Sequence, residues 1–325
     1  MGQTFAALFP FGPFRHAAVY AISDRVLHVR GDDAQSWLSG QVTNDLRELD
    51  KGKAVYVLAV NVKGRVLTDG WVCRRGDDLA LVLPGARVEL ATTSFDKHII
   101  MEDVELDLDA GQRVLTVQGP EAERVVAAAG FSESALPVSR LESAGFDIWV
   151  AESESPAALE RLVSAARAVG GDVVDDASWA QAHVLAGVPR CGVDFGEDNY
   201  PQEAGLKSRA VSFNKGCYLG QEVICMLENR GQLNRRLVQL ETAGSFELVT
   251  ETVAYDPEGK RVGDLTSSAV TPQGTAATVG NKTVALAYVK RPLAETGKLL
   301  RAGEREWVVR SIVGSATEEC PIVAR

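Results

Sequence analysis

Apolar positions along the chain switch between the two-residue period of strands and the longer period of helices, and they do so twice in the same order. Val26-Leu27-His28-Val29-Arg30 reads as a short strand; Gly31 turns it, and Asp32 is placed to cap a helix carrying Ala34, Trp37 and Leu38 on one face. Val114-Leu115-Thr116-Val117-Gln118 repeats the strand and Gly119-Pro120 the turn, with Pro120 placed to open a helix bearing Ala122, Val125 and Val126. Two matching strand–turn–helix units predict a duplicated, pseudo-symmetric α+β core. Between them, Ala54 to Val62 is a nearly continuous apolar run. Lys63-Gly64-Arg65 turns it into a hairpin partner, Val66 to Cys73. Asp77-Asp78 leads to a strand at Leu79 to Leu83, Ala86 to Lys97 reads as a helix, and Val104, Leu106 and Leu108 alternate with acidic residues as a half-exposed strand does.

Further helices are expected at Ala157 to Val169, behind Ser155-Pro156, and at Ala177 to Ala186, stopped by Gly187 and Pro189. After Arg236 the pattern changes to short β-prone runs, Leu237–Leu240, Val284–Val289 and Trp307–Val313, punctuated by Gly, Pro, Asn and Thr. That spacing predicts a small antiparallel sheet or barrel, and a division into residues 1–236 and 237–325.

Composition narrows the class. With 325 residues, 46% hydrophobic and 24% charged, the chain is an ordinary globular protein of two or three domains. No apolar run approaches the ~20 residues that span a bilayer. The apolar stretch Met1 to Phe14 is broken by Pro10, Gly12 and Pro13 and has no basic leader, unlike a signal peptide. A net charge of -10 disfavours direct nucleic-acid contact. The five cysteines (Cys73, Cys191, Cys217, Cys225 and Cys320) form neither a Cys-x-x-Cys pair nor a disulfide framework, so a reducing cytoplasm is the expected compartment. His16, His28, His98 and His183 are scattered, which gives no metal pattern. Gly274 to Thr283 imitates a phosphate loop, but Asn281 separates Gly280 from Lys282. Dinucleotide and serine-hydrolase motifs are absent as well.

Three constellations could carry chemistry. Cys217 sits in Lys215-Gly216-Cys217-Tyr218-Leu219-Gly220-Gln221-Glu222, between glycines and before a helix holding Val223, Ile224 and Leu227. A thiol there, two residues from Lys215, is expected to have a lowered pKa; the alternative is a small buried hydrophobe. Cys225, on the helix itself, reads as packing. The hairpin carries Tyr56, Asn61, Arg65 and Asp69, which could equally form a solvated ion pair. Pro201 and Gly205 bracket Glu203 in a rigid loop, where its carboxylate could accept two N–H bonds from a pterin edge or simply lie at the surface.

Taken together these stretches resemble the YgfZ family, within the superfamily of the glycine-cleavage T-protein (aminomethyltransferase). The octapeptide Lys215–Glu222 is the most specific element of the likeness. Gly40-Gln41-Val42-Thr43-Asn44-Asp45, Lys53-Ala54-Val55-Tyr56, Val117-Gln118-Gly119-Pro120, Pro201-Gln202-Glu203-Ala204-Gly205-Leu206 and Val262-Gly263-Asp264-Leu265-Thr266-Ser267 support it. The resemblance implies two interleaved α+β subdomains and a C-terminal antiparallel β-barrel, three lobes around a central folate channel. It implies tetrahydrofolate or a one-carbon derivative as cofactor, with Asp69 as the acid of one-carbon transfer and Glu203 gripping the pterin. Tyr56 would line the pocket, Asn61 and Arg65 would stand nearby, and function would depend on Cys217. Partners would be iron–sulfur client proteins, including tRNA-modifying enzymes. Two departures stand out: His183 replaces a T-protein arginine, and Ile224 leads into Cys225-Met226 rather than an alanine–arginine pair. An aminomethyltransferase proper and a scaffold that binds no folate are the alternative readings. The spatial expectation common to the site is that the segments around Asp69, Glu203 and Cys217 converge on one cavity.

Overall fold

The computed structural model describes residues 13–75, 78–229, 233–246, 248, 252–271 and 281–315. Met1 to Gly12, the turn residue Asp77, Cys320 and most of the phosphate-loop imitation lie outside the described residues. The chain opens with β1 (Ala18–Ile22), β2 (Arg25–Arg30), α1 (Ala34–Gln41), β3 (Ala54–Val60), β4 (Val66–Arg75) and β5 (Asp78–Leu83). Then come α2 (Val88–Asp96), β6 (Glu105–Asp109), β7 (Gln112–Gln118), α3 (Ala122–Ala128), β8 (Ala135–Pro137) and β9 (Gly145–Ala151). The middle of the chain forms α4 (Ser155–Ala168), β10 (Asp172–Val173), α5 (Asp176–Ala186), α6 (Lys207–Ala210) and α7 (Gln221–Asn229). The last strands are β11 (Arg235–Ala243), β12 (Val253–Tyr255), β13 (Arg261–Thr271), β14 (Lys282–Lys290), β15 (Leu299–Ala302) and β16 (Arg305–Ile312).

Two five-stranded sheets are interleaved in sequence: β10-β1-β7-β9-β8 and β3-β4-β5-β2-β6. Strand alternation explains their layering. Leu115 and Val117 of β7 face α3 and α4, where Val125, Val126 and Leu162 close the core. Leu27 and Val29 of β2 face Trp37 and Leu38 of α1 and Phe95 of α2. The opposite faces meet each other, Val26, Cys73, Ala80 and Val82 of one sheet packing on Val114, Leu136 and Trp149 of the other. Sheets covered on both faces need apolar residues at successive positions, and that need underlies the continuous runs seen in β3 and β5.

The remaining six strands close a barrel in the order β11-β14-β13-β12-β15-β16. Its core holds Trp307, Val238, Leu240, Leu265 and Leu300. β11 begins at Arg235 and so crosses the expected division near Arg236. Helix α5 wedges Trp179 and Leu185 between the first sheet and the barrel residues Leu237, Ala269 and Leu286. Thr266 and Ser267 on β13 both donate to Asp194 Oδ1 at 2.6 Å, tying the barrel to the loop after α5.

Two local expectations are corrected. Asp33, not Asp32, stands at the cap position of α1, and its carboxylate accepts the Asp103 N–H instead of capping the helix. Pro120 precedes the cap residue Glu121, so it shapes the approach to α3 without entering the helix.

The barrel core yields the first prediction. Trp307 is fully buried, with its indole N–H on the Ala302 carbonyl. Trp307→Ala is expected to cost ~3–5 kcal/mol through cavity formation, read as a lower urea midpoint of the full chain.

Candidate functional site

The β3–β4 hairpin carries the site. Its register sets Tyr56 opposite Trp71 and Leu58 opposite Asp69, so Tyr56, Asp69 and Trp71 share one face. Tyr56 is therefore diagonal to Asp69, and its hydroxyl donates to Asp69 Oδ2 at 2.7 Å. The Tyr56 and Trp71 rings lie 5.2 Å apart, and the Arg209 guanidinium covers the Tyr56 ring at 4.5 Å.

These groups line a cavity of about 260 Å³ at the junction of both sheets and α5. Tyr20, Asp24, Arg140, Trp179, His183, Arg190 and Cys191 complete its wall. Tyr20 stacks on Trp179 at 4.8 Å, giving a second aromatic surface. Aromatic rings and charged groups thus share the lining of the cavity.

Asp69 has one oxygen engaged and one free. Oδ2 holds the Tyr56 hydroxyl, while Oδ1 is buried with no partner among the described residues. Burial lifts the Asp69 carboxyl above the usual carboxylate range, with the Tyr56 hydrogen bond pulling the other way. Burial, then the neighbouring Asp69 charge, push the Cys191 thiol up to about 12, so it is protonated at neutral pH. Arg140 reaches Asp24 at 2.9 Å and Asp147 at 2.6 Å, which fixes a guanidinium beside the cavity. His183 is uncharged: burial, reinforced by Arg190, Arg209 and Arg140, drives it down to about 3 against the Val188 carbonyl that favours its proton. His183 is thus a neutral donor or acceptor.

The other expected site residues lie elsewhere. Asn61 closes the hairpin turn, its Oδ1 accepting the N–H groups of Lys63 at 2.9 Å and Arg65 at 3.1 Å. Arg65 lies over the Tyr200 ring at 3.7 Å and donates to the Asp198 carbonyl. Glu203 is buried between Arg65 at 3.6 Å and Arg235 at 3.4 Å and also accepts the Tyr200 N–H. Its carboxylate braces the hairpin turn against the barrel. Cys217 is exposed. The expected convergence on one cavity is therefore corrected: Asp69 and Tyr56 line it, whereas Glu203 and Cys217 are not part of its wall. The expected help from Lys215 to the thiol is corrected too, because all three ammonium donors end on the carbonyls of Ser39, Val42 and Asn44.

The octapeptide instead forms a clamped loop. Tyr218 is buried, and Leu219 N–H donates to the Gly40 carbonyl at 3.0 Å. Gly220 has φ +78, and a Cβ there would lie 2.5 Å from the Asn61 carbonyl oxygen, so glycine is required by both conformation and contact. Asp24, Arg140, Arg190, Cys191 and Arg209 escaped the sequence reading because no periodicity marks them. Trp71 was missed as well, although its place two positions from Asp69 on one strand is a signal that could have found it.

The fold is of the glycine-cleavage T-protein type. Residues 23–144 match the GCVT N-terminal domain family. The chain is similar to the tRNA-modifying protein YgfZ of Vibrio atlanticus, 25% identical over 226 residues that make up 68% of either chain. It is also similar to the aminomethyltransferase of Rubrobacter xylanophilus, 28% identical over 280 residues, 80% of this chain and 72% of that one. The crystal structure of glycine cleavage system aminomethyltransferase T from Bartonella henselae shares the fold, with a TM-score of 0.76 at 22% identity over 91% of this chain and 85% of that one. These likenesses bear out the resemblance drawn from the motifs.

The neutral His183 gives a pH prediction. Its ordinary value is 6.5 and its folded value about 3, so between them the unfolded chain binds the extra proton. Its contribution to stability is therefore complete above about pH 6.5 and is lost progressively as pH falls toward 3. His183→Gln is expected to flatten the decline of stability across the upper part of that window, measured by urea unfolding at a series of pH values.

Proposed function

We propose that this protein binds a reduced folate, with the pterin in the cavity beside Asp69, and supports the assembly or repair of iron–sulfur enzymes, including tRNA-modifying ones. The observation that carries the reading is Asp69 itself: a buried carboxyl in a cavity wall, one oxygen held by Tyr56 and the other without a hydrogen-bond partner among the described residues. A bound N–H group fits that vacant acceptor. The Tyr56, Trp71 and Trp179 rings suit a flat heterocycle. The cavity, at about 260 Å³, falls just under the ~300–1,000 Å³ of whole-ligand pockets, so it suits the bicyclic head better than the entire folate.

When bound, a reduced folate supplies the ring nitrogens that carry one-carbon units. The protein's own part is to orient and to manage a proton. Tyr56 fixes the Asp69 carboxyl by occupying Oδ2, and burial raises its pKa, which favours the protonated form over the carboxylate. Arg209 and Arg140 supply positive charge beside it. Asn61, Arg65 and Glu203 act on the pocket indirectly, by fixing the hairpin turn to the loop at Tyr200 and to the barrel. Cys217 acts outside the cavity as an exposed thiol toward client proteins in the cytoplasm. Among the described residues no helix is long and apolar enough to cross a membrane.

A second reading, aminomethyl transfer to tetrahydrofolate, is favoured by the Tyr56–Asp69 pair and by the aminomethyltransferase relatives. A direct assay for methylenetetrahydrofolate formation separates the two: sustained turnover with a carrier-bound amine sinks the assembly-factor reading.

Asp69→Ala is expected to weaken tetrahydrofolate binding by about 10- to 100-fold in titration calorimetry, the loss of one or two charge-assisted hydrogen bonds. Unchanged affinity would remove the cavity assignment. Cys217→Ser is expected to leave that affinity intact while abolishing support of the iron–sulfur tRNA-modifying enzymes. The readout is the level of the modified nucleoside in cells that depend on this chain, and full complementation by the serine variant overturns the role given to the thiol.

A further inference from the structure

Two motifs far apart in sequence, residues 40–45 and 215–222, are bonded to each other. Lys215 is buried, and its Nζ donates to the carbonyls of Ser39 at 2.6 Å, Val42 at 2.7 Å and Asn44 at 2.7 Å. The loop it anchors is closed further by Leu219 N–H on the Gly40 carbonyl and by Gln221 Nε2 on the Gly216 carbonyl. The other side of the same segment is bonded to the backbone of β3 and of residues 209–210. Thr43 Oγ1 donates to the Ala210 carbonyl at 2.6 Å and accepts the Leu58 N–H at 3.0 Å. Asn44 Nδ2 donates to the carbonyls of Tyr56 at 2.9 Å and Arg209 at 3.2 Å. Tyr56 and Arg209 are the two cavity residues whose ring and guanidinium lie face to face. Asn44 thus holds both cavity residues with its side chain, while its own carbonyl holds Lys215, two positions from Cys217.

We propose that Asn44 and Lys215 are positioning residues that join the cavity wall to the Cys217 loop, so that a ligand in the cavity changes the reactivity of the exposed thiol. The joint is stiff for a physical reason. The ammonium uses all its donors on carbonyls in one geometry, and leaving any of them unpaired in a buried site is costly. Burial depresses Lys215 to about 8, with Asp45 opposing the effect and Arg47 adding to it, and the hydrogen bonds of its ammonium are to the carbonyls of Ser39, Val42 and Asn44. A displacement of Tyr56 or Arg209 by a ligand is passed through Asn44 to a segment that cannot yield without moving residues 215–219. The coupling part rests on the folate reading above; the positioning part does not.

The test is the alkylation rate of Cys217 by iodoacetamide, followed by mass spectrometry of its peptide, with and without saturating 5-formyltetrahydrofolate. In the parent the ligand is expected to change that rate by about fivefold or more, the lower end of ordinary coupling between sites. In Asn44→Ala the ligand still binds, by calorimetry, but the rate responds little. In Lys215→Met the ligand-free rate itself shifts. Binding to the parent with no change in Cys217 alkylation overturns the coupling, and this comparison needs no substitution, so it stands even where a variant fails to fold. No binding to the parent overturns the folate reading and the coupling with it. Ligand-free rates in folded Lys215→Met equal to the parent's overturn the positioning role.

Discussion

The interaction on which the rest leans is the guanidinium of Arg140, held between Asp24 and Asp147 where the two sheets face each other. Asp24 follows β1, Asp147 lies on β9 and Arg140 on the loop before it, so one cation pins the exit of the first strand to its own sheet. Burial works against every member, raising Asp24 even as Arg140 pulls it down. Charges taken from water in this way are weak sources of net stability, but removing one partner leaves the others uncompensated. Such a cluster therefore specifies an arrangement more than it strengthens one. The arrangement it specifies is a gap lined by both aromatic rings and charged groups.

The β3–β4 hairpin turns that gap into a site. Its inner residues join the core, and Leu58 and Val60 pack with Ala204, Leu206 and Ile224 from the segment that leads to the barrel. Because that packing fixes the strands, Tyr56 and Asp69 meet at hydrogen-bond distance without depending on mobile side chains. The same rigidity explains why Glu203, Arg65 and Arg235 are joined as a brace: the hairpin turn overhangs the barrel, and a paired carboxylate and two guanidinium groups fasten it there. The octapeptide fills the opposite flank, its glycine at position 220 fitted against the turn. Two stretches that looked like separate signatures, residues 40–45 and 215–222, are one clamp.

The sequence by itself determined the elements and much of their order. Both strand–Gly–helix units, the hairpin, the long helices and the β-rich tail follow from apolar period and from where Gly and Pro interrupt it, since each depends on neighbours within a few residues. The places of Tyr56 and Asp69 on the hairpin, and the glycines around Cys217, were legible for the same local reason, whereas the pocket roles of Tyr56 and Asp69 came only from the family resemblance. Tertiary structure alone decided who meets whom. No period relates Arg140 to Asp24 or Cys191 to Asp69, because each pair joins segments more than a hundred residues apart in the chain. Nor could spacing show that the Lys215 ammonium turns to the carbonyls of residues 39–44 and away from Cys217, or that Glu203 is held by two arginines. A charged side chain goes to whichever partners the folded backbone leaves unsatisfied, and that is a property of the assembled interior and not of any stretch of sequence.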